Sequence, residues 1–517
     1  QSWGLPDLSE RRLGKCGSSL RSDEGAAMIS RISRRNYLLL LLLAGVSLGV
    51  YLAASRLMEG WGFPLDDAWI HQTYARNLAW LGQWAFIPGV PSAGSTSPLW
   101  SALLSPGYLL HLGPFAWTFI LEWLLLAALS ILGENAYRGY FDRDDTGIPW
   151  VGILLVFEWH LVWASGSGME VLLLSLIIAG VLFALNSSQP RWFLLGLIVG
   201  ATVWIRPDGL TLMGPVLMAI VLSQAGVRQK LRHSVEAVGG FAVIFLPYLL
   251  FNRLLSGSIW PNTFYAKQAE YGVYQQIPLL IRYLNEIKLP LIGVGAILLP
   301  GFIAYAWAAA RRMDWPRIAG ILWLLGYIGL YAWRLPVEYQ HGRYIMPAMP
   351  VYFVWAATGM AWLLKTMWQR VGWRWVVSRA WLVSTALVLA GFWLIGARTY
   401  AGDVAIINTE MVRTAKWIAA NTPQDALIAA HDIGALGFYG QRNILDLAGL
   451  ISPEVIPFIR DESRLATYLD QKQAGYLMTF PSWYPQLVSG RQPLYSSGGE
   501  FAPQSGNDNM AVFQWQK

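Results

Sequence analysis

Apolar residues run through this chain in long stretches with few polar interruptions, such as 36–54 (NYLLLLLLAGVSLGVYLAA) and 382–397 (LVSTALVLAGFWLIGA). Runs near twenty residues suit a bilayer core of roughly 30 Å. Comparable segments lie near 115–133, 149–164, 169–186, 192–205, 209–224, 235–254, 288–308, 318–334, 344–364 and 380–397. Together with the first they predict about eleven transmembrane helices. Residues 98–112 (PLWSALLSPGYLLHL) are apolar but short and interrupted by Pro106-Gly107. They are expected to be re-entrant or to lie along the membrane face.

From about residue 400 the pattern changes to short apolar stretches between polar and turn residues. RTAKWIAAN (413–421) reads as a helix, and ALIAA (426–430), NILDLAG (443–449) and YLMTF (476–480) read as strands. The expected fold class is therefore a polytopic α-helical membrane protein with a small C-terminal extracytoplasmic α/β domain. Its parts would be a transmembrane domain over 28–399, with a first exterior loop at 55–97, and a soluble domain over 400–517. Residues 1–27 are polar, and Met28 opens MISRISRRNYLLLLLLAG, a basic segment before a long apolar core. This predicts an uncleaved signal anchor starting at Met28, with 1–27 a disordered or artefactual extension.

Composition agrees: 55% of residues are hydrophobic and 13% charged, against about a quarter charged in soluble proteins. The net charge of +7 sits mainly in short links: Arg31, Arg34 and Arg35; Arg228, Lys230 and Arg232; Arg311, Arg312 and Arg317; Arg370, Arg374 and Arg379. That distribution marks cytoplasmic links and a cytoplasmic N-terminus, and it argues against a nucleic-acid partner. An odd number of crossings then puts the C-terminal domain outside. The link 134–148 would be cytoplasmic, although Asp142, Asp144 and Asp145 give it no positive bias. Cys16 is the lone cysteine, which excludes an intrachain disulfide framework.

Candidate chemistry gathers at the exterior ends of the crossings. In the first loop Asp66-Asp67 opens a predicted helix over 67–81, and Asp67, His71 and Tyr74 share one face at i, i+4 and i+7. An N-cap at Asp66 and a favourable dipole position at Asp67 would explain both carboxylates structurally. Adjacent carboxylates also resist joint ionisation, which suits one of them to accept a proton. Ala93–Trp100 (AGSTSPLW) reads as a tight turn into a helix. Glu170, in SGSGME, and Arg206, before Pro207-Asp208, sit at the ends of apolar runs, where snorkelling, an Arg-Asp pair or function would each fit. Trp260-Pro261-Asn262-Thr263-Phe264-Tyr265-Ala266-Lys267 and Glu338–Tyr344, with His341 and Arg343, place cations outside against the charge trend. Binding an anionic phosphate would account for them. In the C-terminal domain, His431-Asp432 and Asp446 follow or end strands beside glycines. No P-loop, GxSxG elbow, CxxC pair or metal-ligand spacing is present in the sequence.

In order and spacing, the Asp-Asp pair, TSPLW, SGME, RPDG, PNTFYAK, HGRYIMP and HDIGALGFYG…ILDLAGL resemble the GT-C glycosyltransferases, within them the mycobacterial terminal arabinofuranosyltransferase branch. The resemblance covers the chain from about Met28. It implies a GT-C-like fold in a bacterial cell membrane and inverting transfer of a sugar, arabinofuranose or another pentose or hexose. The donor would be a polyprenyl-phosphate carrier and the acceptor a glycan, lipid or protein. On that reading Asp66 or Asp67 is the general base. Arg206, Lys267, His341 and Arg343 hold the donor phosphate. His71, Tyr74, Glu170, Trp260, Asn262, Tyr265, His431 and Asp432 contact substrates, and the two Asp leave room for a divalent cation without a convincing third ligand. The competing class is transport, by a lipid-linked sugar flippase or a secondary transporter. It would predict internal symmetry and ionisable groups at mid-helix, and no internal repeat is evident.

Overall fold

The computed structural model describes residues 32–141, 147–187, 189–368 and 372–516. The expected start at Met28, the 1–27 extension and Asp142, Asp144 and Asp145 lie outside the described residues. Helix α1 (Arg34–Met58) leads into a loop holding α2 (Asp67–Leu81), the hairpin strands β1 (Ala85–Ile87) and β2 (Val90–Pro91), and α3 (Pro98–Leu109). There follow α4 (Phe115–Gly139), α5 (Trp150–Phe157), α6 (Trp159–Gly166), α7 (Val171–Ala184), α8 (Trp192–Val203), α9 (Met213–Val221) and α10 (Val227–Ser256). Two short helices, α11 (Asn262–Glu270) and α12 (Leu279–Lys288), precede α13 (Val294–Arg311), α14 (Trp315–Arg334), the single turn α15 (Tyr339–Gly342), α16 (Met349–Trp368) and α17 (Trp373–Ile407).

Each expected apolar segment falls on helix. Six helices among the described residues are long and apolar enough to cross a membrane, whereas Val171–Ala184, Trp192–Val203 and Pro207–Val221 are shorter. The expectation of one helix over 149–164 is corrected by a break at Glu158. That residue turns to extended backbone (ψ 118°) and caps α6, its carboxylate accepting from Leu161 N at 3.1 Å and lying 2.8 Å from His160 Nδ1. A buried carboxylate needs such partners, and satisfying them interrupts the helix. Segment 98–112 forms α3, whose twelve residues reach about 18 Å, too short to span. It packs on α2, where the Tyr108 hydroxyl donates to Gln72 Oε1 at 2.7 Å, and on the link between α6 and α7, where Trp100 Nε1 donates to Gly168 O at 2.9 Å.

Small residues set the closest helix contacts. A β-carbon on Gly196 would meet Ala237 O at 2.0 Å, and one on Gly240 would meet Phe193 O at 2.2 Å, so α8 and α10 touch backbone to backbone. Gly359 on α16 stands in the same relation to Gly301 O on α13, at 1.9 Å. Between membrane helices, packing of this kind replaces the hydrophobic driving force.

Helix α17 does not stop where the composition changes. It continues through a π-helical turn (Asn408–Val412) into α18 (Arg413–Asn421), giving 49 unbroken helical residues from Trp373 to Asn421. Beyond it lie β3 (Leu427–Ala430), β4 (Asn443–Asp446), α19 (Glu462–Gln471), β5 (Tyr476–Thr479), β6 (Pro493–Ser496) and β7 (Ala511–Gln514), in the sheet order β4-β3-β5-β7-β6. The first three strands are parallel and the last two antiparallel. Ala430 pairs with both Asp446 and Met478, so the parallel strands end together and deliver His431-Asp432 and Asp446 to one edge.

Adjacent glycines on α10 test the helix packing. Gly240→Ala is expected to cost about 1–3 kcal/mol through overpacking and to lower the thermal unfolding midpoint in detergent. Gly239→Ala, with nothing within 4 Å of its added carbon, is expected to leave or raise it. Equal midpoints for the two variants would contradict the close approach.

Candidate active site

Six helix ends converge on one cavity of about 430 Å³. Its polar wall includes Asp67 at the start of α2, Glu170 before α7, Arg206 after α8, Lys267 on α11, and Arg343 and Tyr344 before α16. Leu210, Trp260, Phe264, Leu330 and Leu335 add apolar lining.

Asp67 is the hub. Its Oδ2 accepts from Arg343 Nη2 at 2.6 Å and Lys267 Nζ at 3.2 Å. Both cations also donate to the Tyr344 hydroxyl, at 3.0 and 3.1 Å. Burial pushes the Asp67 carboxyl up, but Lys267 and Arg343 outweigh it and hold it well below the usual carboxylate range. Burial alone would lower the Lys267 ammonium, and Asp67 reverses that. Arg343 Nε and Nη1 are buried without a hydrogen-bond partner, so this guanidinium keeps donors in reserve. On the next wall Arg206 Nε meets Asp208 Oδ1 at 3.1 Å, and its Nη2 donates to the Tyr331 hydroxyl. The Tyr331 and Tyr327 hydroxyls donate to Asp208 Oδ2 at 2.7 and 2.5 Å.

Asp66 points away from this cavity. Gly434 N–H and Ala435 N–H donate to its two carboxylate oxygens at 2.7 and 2.8 Å, binding the first loop to the C-terminal sheet. A β-carbon on Gly434 would meet Asp66 O at 2.0 Å, so only glycine allows the approach. Burial, then the neighbouring Asp432 carboxylate, pushes Asp66 up to about 8 against the lowering effect of those amides. Burial likewise raises Asp432 to about 6, and its Oδ2 has no partner. His431 stands beside it, with Nδ1 2.8 Å from the Tyr484 hydroxyl and Nε2 3.2 Å from Glu270 Oε1.

Other expected residues go elsewhere. His341 does not reach the cavity wall; its Nε2 lies 2.8 Å from Asp403 Oδ2, with its ring edge-on to Trp159 and Trp163. Tyr265 is part-exposed and also off the wall, 5.3 Å from the Phe264 ring centre. Asn262 Nδ2 donates to Leu450 O at 3.2 Å, and the Tyr74 hydroxyl holds the turn at Ser92 and Gly94. Both tie segments together. Trp260 and Glu170 do line the cavity, and His71 sits behind Glu170, Nε2 to Oε2 3.6 Å. Tyr344, Tyr331, Asp208, Arg334 and Glu270 were not singled out from sequence as binding residues. Tyr344 lay within the quoted HGRYIMP motif, and Glu270 one helical turn beyond Lys267. No group of three or more His, Cys, Asp or Glu suited to a metal occurs among the described residues.

Known proteins resemble this chain in structure more than in sequence. A family described as a domain of unknown function, DUF8728, matches residues 398–513. No curated protein sequence matches. The crystal structure of ArnT from Cupriavidus metallidurans bound to undecaprenyl phosphate superposes with a TM-score of 0.59 at 15% identity, over 94% of this chain and 99% of that one. Its apo state gives 0.57 at 13% identity, over 92% and 98%. The archaeal oligosaccharyltransferase AglB from Archaeoglobus fulgidus, in complex with an inhibitory peptide and a dolichol-phosphate, gives 0.58 at 12% identity, over 88% and 71%. At these identities the likeness is one of fold, a polytopic helical membrane fold with a small C-terminal sheet region.

The raised Asp66 carboxyl gives stability a definite pH slope. Folding lifts it from 3.8 to about 8, so between those values the folded chain holds a proton that the unfolded chain has released. Stability from this group is full below about pH 4 and is lost as the pH rises toward 8. Asp66→Asn should flatten the decline of the unfolding midpoint over that window; a slope identical to wild type would contradict the assignment.

Proposed function

We propose that this protein is a membrane-bound inverting glycosyltransferase that moves a sugar from a polyprenyl-phosphate donor to a glycan, lipid or protein acceptor. The observation that carries the reading is the Asp67–Lys267–Arg343 cluster, set in a cavity that is also lined by Leu210, Trp260, Phe264, Leu330 and Leu335. Cations of this kind suit a lipid phosphate, and the apolar lining suits its prenyl chain. The two superposed structures that carry undecaprenyl phosphate and dolichol-phosphate favour the same ligand class. The motif resemblance favours arabinofuranose or another pentose or hexose as the sugar, in a bacterial cell membrane. The distribution of basic links favours a cytoplasmic N-terminus and an extracytoplasmic site and C-terminal domain.

In this mechanism an acceptor hydroxyl attacks the anomeric carbon as the carbon–oxygen bond to phosphate breaks. The bonding pair leaves with the phosphate oxygen, and the acceptor proton passes to a carboxylate. A single displacement inverts the anomeric centre. Asp67 is the base, since it faces the cavity and Asp66 is occupied by the Gly434 and Ala435 amides. Lys267 and Arg343 by themselves make Asp67 a weak base. The donor phosphate competes for those same cations, and as they turn to it the carboxylate regains basicity. The cations then stabilise the charge growing on the leaving phosphate. Arg206, locked to Asp208, contributes field more than direct contact. His431 and Asp432, at the carboxyl ends of the parallel strands, are on the acceptor side.

The test separates binding from chemistry. In purified protein supplied with polyprenyl-phosphate sugars, Asp67→Asn should reduce transfer by about 10²–10⁴-fold. It should also tighten binding of undecaprenyl phosphate, because a competing carboxylate has been removed. Arg343→Ala should weaken that binding. Weaker carrier binding in Asp67→Asn, or near-normal transfer, would refute the assignment.

A further inference from the structure

Four buried polar groups stand in series behind the cavity: Ser95, Ser101, His71 and Glu170. Ser95 Oγ lies 3.0 Å from Ser101 Oγ, which is 2.9 Å from His71 Nδ1, and His71 Nε2 is 3.6 Å from Glu170 Oε2. Burial pushes the His71 imidazole down, so the ring is neutral, with one nitrogen donating and the other accepting. With Ser101 donating to Nδ1, the Nε2 proton points at Glu170. A buried chain of this length is costly unless its members are satisfied or meet a ligand.

Its last member is unsatisfied. Glu170 is buried on the cavity wall, and its Oε2 has no hydrogen-bond partner. The other two wall carboxylates are neutralised, Asp67 by Lys267 and Arg343 and Asp208 by Arg206. Among the described residues Glu170 has no Lys or Arg within ion-pair distance, only His71. The group behind it on α4, Glu122, is another buried carboxyl with both oxygens unpartnered. Oε2 is turned toward His71, so it is the other carboxylate oxygen, which accepts no hydrogen bond among the described residues, that is left for whatever fills the cavity.

We infer that Glu170 is the specificity-determining acceptor for a ring hydroxyl of the transferred sugar, and that His71, backed by Ser101 and Ser95, is the residue positioning it. The inference rests on the donor reading above and deepens it: phosphate is held by the Lys267–Arg343 side and the sugar is read by the Glu170 side. The turn at Ala93–Trp100 thereby has a task beyond starting α3, since its Ser95 anchors the far end of the chain.

Binding to purified, full-length protein tests it with three probes of like charge: undecaprenyl-phosphate arabinofuranose, undecaprenyl-phosphate glucose, and undecaprenyl methyl phosphate, which has no sugar. Glu170→Gln is expected to weaken the better-bound sugar carrier about tenfold, since a charge-assisted hydrogen bond is lost, and to leave the methyl diester within about twofold. His71→Ala should behave likewise, and His71→Gln, whose amide can donate from the Nε2 position, should recover most of the loss. Retained binding of the methyl diester shows that each variant is folded. Parallel losses on all three probes, no loss on any, or His71→Gln no better than His71→Ala would overturn the inference. Wild-type protein that binds the methyl diester but neither sugar carrier would overturn it while sparing the phosphate reading. Wild type that binds none of the three would remove both.

Discussion

Two cations on one carboxylate hold together parts of the chain that are remote in sequence. Asp67 belongs to the first loop, Lys267 to α11 some 200 residues later, and Arg343 to the turn before α16, 276 residues away. Burying any one of these charges alone would be prohibitive, so each commits the others to the same place. The cluster ties the turn before α16 to α2 and α11 at the cavity wall. Removing one charge would leave the other two with a changed balance, which makes the cluster both a structural tie and a poised reactive group.

The neighbouring carboxylates divide the work by geometry. Successive residues at a helix start point about 100° apart, so Asp66 and Asp67 cannot face the same surroundings. Asp67 looks into the cavity and Asp66 toward the C-terminal sheet, where two backbone amides and an unsubstituted glycine receive it. Two aspartates side by side have opposite proton affinities: burial raises both, Lys267 and Arg343 outweigh it at Asp67, and Asp432 adds to it at Asp66.

Much of the architecture was legible in the sequence because the bilayer imposes length and apolarity on each crossing. The helix over 67–81, the helix at 413–421 and three strands of the sheet also followed from periodicity. Glu158 was a visible interruption in 149–164, but a single carboxylate does not announce whether it will be exposed at an interface or turned inward as a cap. Strands β6 and β7 escaped because PLYS and AVFQ are too short and mixed to carry a pattern. The site residues were found as types, cations and carboxylates at helix ends, whereas their pairing was not. Nothing local distinguishes His341, which faces Asp403, from Arg343 two residues on, which faces Asp67. Partners so far apart in sequence are chosen by tertiary packing.

The π-helical turn at Asn408–Val412 matters for rotational phase. Such a turn is one surplus residue absorbed into a helix, and it swings everything beyond it around the axis. Glu410 lies within the turn and receives the Ser497 hydroxyl and, at 2.8 Å, Met510 N–H in the sheet region. The long strut is thus keyed to the distal sheet, since the turn that holds the extra amino acid also holds the carboxylate that clasps the facing ends of β6 and β7.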